Sequence, residues 1–122
     1  MNQARSNMKR IAIAAALWAL AISTPAFGHA HLSKSTPAAG ATVGPPAEIV
    51  LSFTEPLEPA FSTIEVRDSM GKRIATGKAQ VKDDVMRLQL NPLPSGRYTV
   101  NWRVLSVDTH KSQGNFVFTV KP

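Results

Sequence analysis

From Tyr98 to Val104 apolar side chains return at every second position, with Tyr98, Val100, Trp102 and Val104 on one side and Thr99, Asn101 and Arg103 on the other. Only an extended chain throws alternate side chains to opposite faces, so this stretch is a strand with one buried and one wet face. The same period recurs in Ile49, Leu51 and Phe53, in Met86, Leu88 and Leu90, and in Phe116, Phe118 and Val120. Phe61, Ile64 and Val66 resume an extended pattern that runs into a hairpin turn at Arg67–Lys72, closed by Gly71, with Arg73–Thr76 as the short return strand. Between these runs lie Val43-Gly44-Pro45-Pro46, Glu55-Pro56-Leu57-Glu58-Pro59 and Asn91-Pro92-Leu93-Pro94. None of these can be helix, because proline lacks the amide donor and fixes φ. Val81–Asp84 and Ser106–Gly114 read as polar turns, Ser33–Gly40 as an extended piece running into a turn, and no helical stripe follows residue 28. The pattern predicts an all-β fold, an antiparallel Greek-key sandwich of about seven strands.

The first 28 residues follow another rule. Arg5, Lys9 and Arg10 precede a charge-free apolar run from Ile11 to Ile22, then Ser23-Thr24-Pro25 and small residues at Ala26 and Gly28. That order is a secretory signal peptide with its cleavage site. The run is too short for the roughly 20 residues of a spanning helix. Cleavage after Gly28 divides the chain into a signal peptide, 1–28, and a single exported domain, 29–122. Three of the 14 Lys and Arg leave with the leader while all 8 Asp and Glu stay, so the formal charge falls from +6 to +3. A balance that mild, spread in ones and twos, excludes the basic stripe of a nucleic-acid binder. The mature chain is expected to be exported, not membrane-spanning, and monomeric.

Cleavage also creates chemistry. The new terminus, His29, carries a free α-amine and an imidazole on one residue, with His31 two positions on. The third histidine, His110, lies in Asp108-Thr109-His110, where a carboxylate and an imidazole project from one side if the chain is extended. Alone, an Asp-x-His is ordinary turn chemistry. Together, the amine and Nδ1 of His29 can close a chelate ring that Asp108 and His110 complete as an N,N,N,O set. That set suits tetragonal Cu(II) better than tetrahedral Zn(II), and Cu(II) tops the divalent affinity order. Both the amine and the imidazoles must shed protons first, so binding weakens in acid. With no cysteine, the remaining donors are Met70 and Met86, which read as a turn residue and a core residue. His31 is a weaker candidate. It can wrap Cu(II) with the terminal amine and two deprotonated amides, in competition with the ladder hydrogen bonds of a first strand.

These same segments carry a family resemblance. His29-Ala30-His31-Leu32, Ser35-Thr36-Pro37-Ala38 with Gly40, Leu51-Ser52-Phe53-Thr54-Glu55-Pro56-Leu57, and Trp102 through His110 with Gly114 and Phe116 resemble the bacterial CopC copper resistance family across essentially the whole mature chain. The processed N-terminal histidine and the S-x-D-x-H motif, Ser106 to His110, are its most specific parts. The resemblance implies a cupredoxin-like or Ig-like β-barrel or sandwich. It also implies a periplasmic copper homeostasis protein with one Cu(II) on His29, Asp108 and His110, and an inner-membrane partner of the CopD type. Some relatives carry a methionine-rich loop for Cu(I), and the scarcity of thioethers here points to the single-site Cu(II) form.

Two other classes compete. An N-terminal histidine brace is also the site type of copper oxidases and oxygenases, but Asp108 would fill the position where oxygen must enter, so an enzyme is not expected. A metal-free adhesive sandwich is the other. No phosphate loop, nucleophile elbow or HExxH motif is present.

Overall fold

The computed structural model describes residues 30–75 and 78–122. The expected signal peptide and His29 lie outside the described residues, as does Thr76 at the end of the return strand. The described chain contains β1 (Leu32–Thr36), β2 (Thr42–Val43), β3 (Glu48–Phe53), β4 (Thr63–Arg67), β5 (Arg73–Ala75), β6 (Gln80–Lys82), β7 (Val85–Gln89), β8 (Gly96–Leu105) and β9 (Lys111–Val120). They form two layers, a four-stranded sheet ordered β1-β3-β7-β6 and a five-stranded sheet ordered β2-β9-β8-β4-β5. The chain crosses between layers at β1 to β2, β2 to β3, β3 to β4, β5 to β6 and β7 to β8, giving the all-β sandwich that the alternation predicts.

The period-2 residues are the ones that meet in the middle. Ile49, Leu51 and Phe53 of β3 and Met86 and Leu88 of β7 face Tyr98, Val100, Trp102 and Val104 of β8 and Phe116, Phe118 and Val120 of β9, all buried. Phe53 meets Trp102 edge to face, with centroids 5.1 Å apart, and Tyr98 stacks on Phe118 at 5.6 Å. These offset geometries are the ones ring quadrupoles favour. The longest ladder joins β8 to β9, from Gly96 opposite Val120 to Leu105 opposite Lys111.

Four local expectations need correction. The strand count among the described residues is nine, because β2 and β6 are too short for any period to show in the sequence. One of these, β6, includes Val81 and Lys82, read above as a turn; Val81 pairs with Met86 and packs against the core. The sheets are not wholly antiparallel, since β2 runs parallel to β9. Phe61 does not begin a strand: it closes a single 3-10 turn, Pro59–Phe61, and is 66% exposed. Proline presets φ for such a turn and cannot donate to a ladder, so β4 starts only at Thr63. In the opposite direction, the segment read as a loop up to Gly114 is already β9 from Lys111.

Candidate metal centre

The β8–β9 connection is five residues, Ser106 to His110, and Ser106 organises it. Its side chain is fully buried, its amide donates to the His110 carbonyl at 3.0 Å, and the Thr109 amide donates back to the Ser106 carbonyl at 2.9 Å. The His110 amide donates to the Ser106 hydroxyl at 3.3 Å, and that hydroxyl in turn donates to the Asp108 carboxylate. Thr109 takes φ +73°, a left-handed value that folds the turn back on itself. Asp108 Oδ2 and His110 Nδ1 therefore stand 3.4 Å apart. They do so because a turn brings them together, not because the chain is extended as the spacing suggests.

A second segment is pinned at the same end of the sandwich. Ala30, next after the expected terminal residue, is fully buried. The His31 amide donates to Thr54 Oγ1 and the Thr54 amide donates to the His31 carbonyl, both at 2.9 Å. Two residues beyond Thr54, the Pro56 carbonyl accepts from the Val107 amide at 3.0 Å, and Leu57 pairs with Ser106. The stretch from Thr54 to Leu57 thus holds the start of the domain with its first residue and the Asp-His turn with its last ones. The sequence reads there as a proline-broken loop and as one of the segments of the family resemblance, and no residue type in it signals a clamp.

The imidazole of His31 lies on an exposed residue, and its amide is engaged by Thr54. His29 is outside the described residues, and within them no group of three or more His, Asp or Glu converges. Met70 is 89% exposed in the β4–β5 turn while Met86 is fully buried between the sheets, so the two thioethers take the turn and core places expected.

The Ser106 hydroxyl holds the Asp108 carboxyl below the ordinary carboxylate range; desolvation opposes this, and the hydrogen bonds and charge of His110 add to it. A folded value below the unfolded one means that ionised Asp108 stabilises the domain above its unfolded pKa. That contribution is lost as pH falls through the folded value. Ser106→Ala is therefore expected to move the Asp108 titration to higher pH, read by carboxyl-carbon NMR on the metal-free protein. An unmoved titration would show that the hydroxyl does not tune the carboxylate.

The fold and the turn together define a small β-sandwich that presents oxygen and nitrogen donors at one end. The CopC domain model matches residues 32–121, and the chain belongs to the CopC family. It is 39% identical to Copper resistance protein C of Xanthomonas campestris pv. juglandis over 108 residues, covering 81% of this chain and 85% of that protein. It is 33% identical over 99 residues to Copper transport protein CutJ of Bacillus subtilis, covering 77% of this chain but 18% of that longer one. Among solved structures, CopC from Methylosinus trichosporium OB3b superposes with a TM-score of 0.74 at 35% identity, covering 77% of this chain and 95% of that one. Family membership ties the protein to copper and to copper resistance.

Proposed function

We propose that this protein is a periplasmic carrier that binds one Cu(II) through the amine and ring of His29 together with Asp108 and His110. In this reading the functional domain is 29–122, created by cleavage after Gly28. The carrier passes its ion to, or buffers it for, an inner-membrane transporter of the CopD type, and it performs no catalysis. The supporting observation is the shared anchor: Thr54 fixes the segment that follows residue 29, and Pro56 with Leu57 fixes the turn that carries Asp108 and His110. Two segments far apart in sequence, the one that follows residue 29 and the Asp-His turn, are thereby tied to one short stretch of backbone, which supports the preorganisation a chelate needs. The CutJ match supports the transporter link, because there the related segment is a fraction of a longer copper transport protein.

The test is intact mass and Cu(II) titration of the protein recovered from the periplasm. The expected results are a chain beginning at His29, one Cu(II) per chain, quenched Trp102 fluorescence and a raised thermal midpoint, since a ligand bound only by the folded state stabilises it. One extra residue before His29 moves the amine away from the imidazole and is expected to weaken binding strongly. Unchanged affinity in that extended protein would sink the proposed ligand set.

A further inference from the structure

The two faces of the sandwich differ in their arginines. Arg87, on the four-stranded sheet, pairs with Glu48 at 2.9 Å. The other four arginines of the described residues, Arg67, Arg73, Arg97 and Arg103, belong to the outer face of the five-stranded sheet. Strand parity puts Arg67, Arg97 and Arg103 there, opposite the buried run of β8 and β4, and the register shift in the β4–β5 pairing sets Arg73 opposite Arg67. Glu65 is the carboxylate among them, held by Arg67 and, at 3.3 Å, by Arg73 Nε. Asp68, at the hairpin turn, is engaged by the Met70 and Lys72 amides at 2.9 Å. Positive charge therefore prevails across the face, and part of it is fixed in place: Arg67 Nη1 also donates to the Gly71 carbonyl at 2.7 Å.

This face is recessed. A trough of about 680 Å³ runs along it, floored by Asn101, Gln113 and Asn115 and flanked by Arg73 and Arg103. Arg103 and Gln113 also line an adjoining hollow of about 460 Å³ whose other walls include Phe61, Leu105 and Lys111. Lys111 directly follows His110, so the hollow opens beside the metal turn. Phe61, 66% exposed, and Val107, 51% exposed, are two of the three large apolar side chains the described surface leaves open, and both lie in segments that flank this end.

We propose that this face docks an extended acidic segment of a protein partner, its carboxylates on Arg73 and Arg103 and an apolar side chain against Phe61. The proposal rests on the copper-carrier reading for what is exchanged there, but not for the surface itself. Arginine forks pair with carboxylates in two-point geometry, and positive potential steers an acidic partner into place. The amide side chains on the floor both donate and accept, which matches a peptide main chain. An anionic bilayer asks only for donors and for a flat or convex surface, so the recess favours a polypeptide.

The probe is the synthetic peptide Glu-Thr-Glu-Thr-Glu-Thr-Phe, titrated into the isotope-labelled mature protein with and without Cu(II). A parallel titration uses vesicles of phosphatidylglycerol and phosphatidylethanolamine. The expected result is amide shifts confined to β4, β8, β9 and the turn at Phe61, weakened at least about tenfold in Arg73→Glu with Arg103→Glu. Circular dichroism and Cu(II) affinity of that variant are expected to stay as in the parent. Peptide shifts on the four-stranded sheet, or shifts indifferent to the charge reversal, would overturn the proposal. So would binding to the vesicles but not to the peptide, which would make the face a membrane surface. Loss of Cu(II) binding in the parent with peptide docking intact would remove the carrier reading and leave this surface standing.

Discussion

His110→Ala is expected to weaken Cu(II) binding by about a hundredfold or more, because it would remove one nitrogen donor of the proposed ligand set outright. The fold should survive the change. The turn is held by the main-chain N–H and C=O of His110 acting on Ser106, and neither depends on the imidazole. The measurement is a competition titration against a chelator of known affinity at neutral pH. Its value lies in separating two copper sites that share a terminus. A wrap of the first three residues would use the amine, two deprotonated amides and the His31 ring, and would be indifferent to position 110. That wrap has to strip the His31 amide from Thr54 Oγ1, a bond of 2.9 Å that helps pin the start of β1. The bond is exposed, so losing it costs only about 0.5–1.5 kcal/mol. Full affinity in His110→Ala would establish the wrap and dismiss the folded centre. Loss of affinity in His110→Ala, with His31→Ala nearly unaffected, is the outcome the geometry supports.

The largest stability effect is expected at Gly114. This residue stands opposite Trp102 in the β8–β9 ladder, and the indole lies over its α-carbon. A Cβ there would meet Cζ2 of the ring at 2.5 Å and Cε2 at 2.8 Å, closer than real Cβ contacts come. The ring cannot retreat freely, since Phe53 packs against it with centroids 5.1 Å apart. Overpacking of this kind costs about 3 kcal/mol in Gly114→Ala, which for a domain near this size lowers the midpoint by roughly 10–20 °C. Calorimetry on the metal-free protein would read it, and Trp102→Phe added to Gly114→Ala should restore part of the loss by shrinking the ring. A midpoint within a few degrees of the parent would mean that the indole has somewhere else to go. Because Trp102 and Phe53 belong to the strands that lead to the Asp-His turn and to Thr54, the same clash is expected to weaken Cu(II) binding as well.

Much of the sandwich was legible because its signal is local. Alternation along β3, β7, β8 and β9 places residues inside or outside wherever the chain is extended, and the core consists of those residues. The misreadings fall where locality fails. Two residues of β2 and three of β6 are strands only because a partner edge is there to receive them. Phe61 looked like the first inward residue of a strand, yet the proline ahead of it settles a turn that faces the ring to solvent. Lys111 to Gly114 looked like loop because polar side chains hide a period, and their pairing with β8 is non-local.

The sequence alone determined which residue types can carry the chemistry: three histidines, no cysteine, an Asp-x-His, and a strand pattern that fixes inside from outside. Those are properties of side chains and of a two-residue repeat, and they need no third dimension. Tertiary structure decided what is near what. It turned Asp108 toward His110 through a left-handed Thr109 and a buried Ser106 hydroxyl, and it tied His31 and the Asp-His turn to Thr54–Leu57. It also gathered four arginines from three strands onto one face. Pairing across dozens of residues is set by packing and ladder register, whose energy is spread over the whole core, so no short stretch of the chain could announce it.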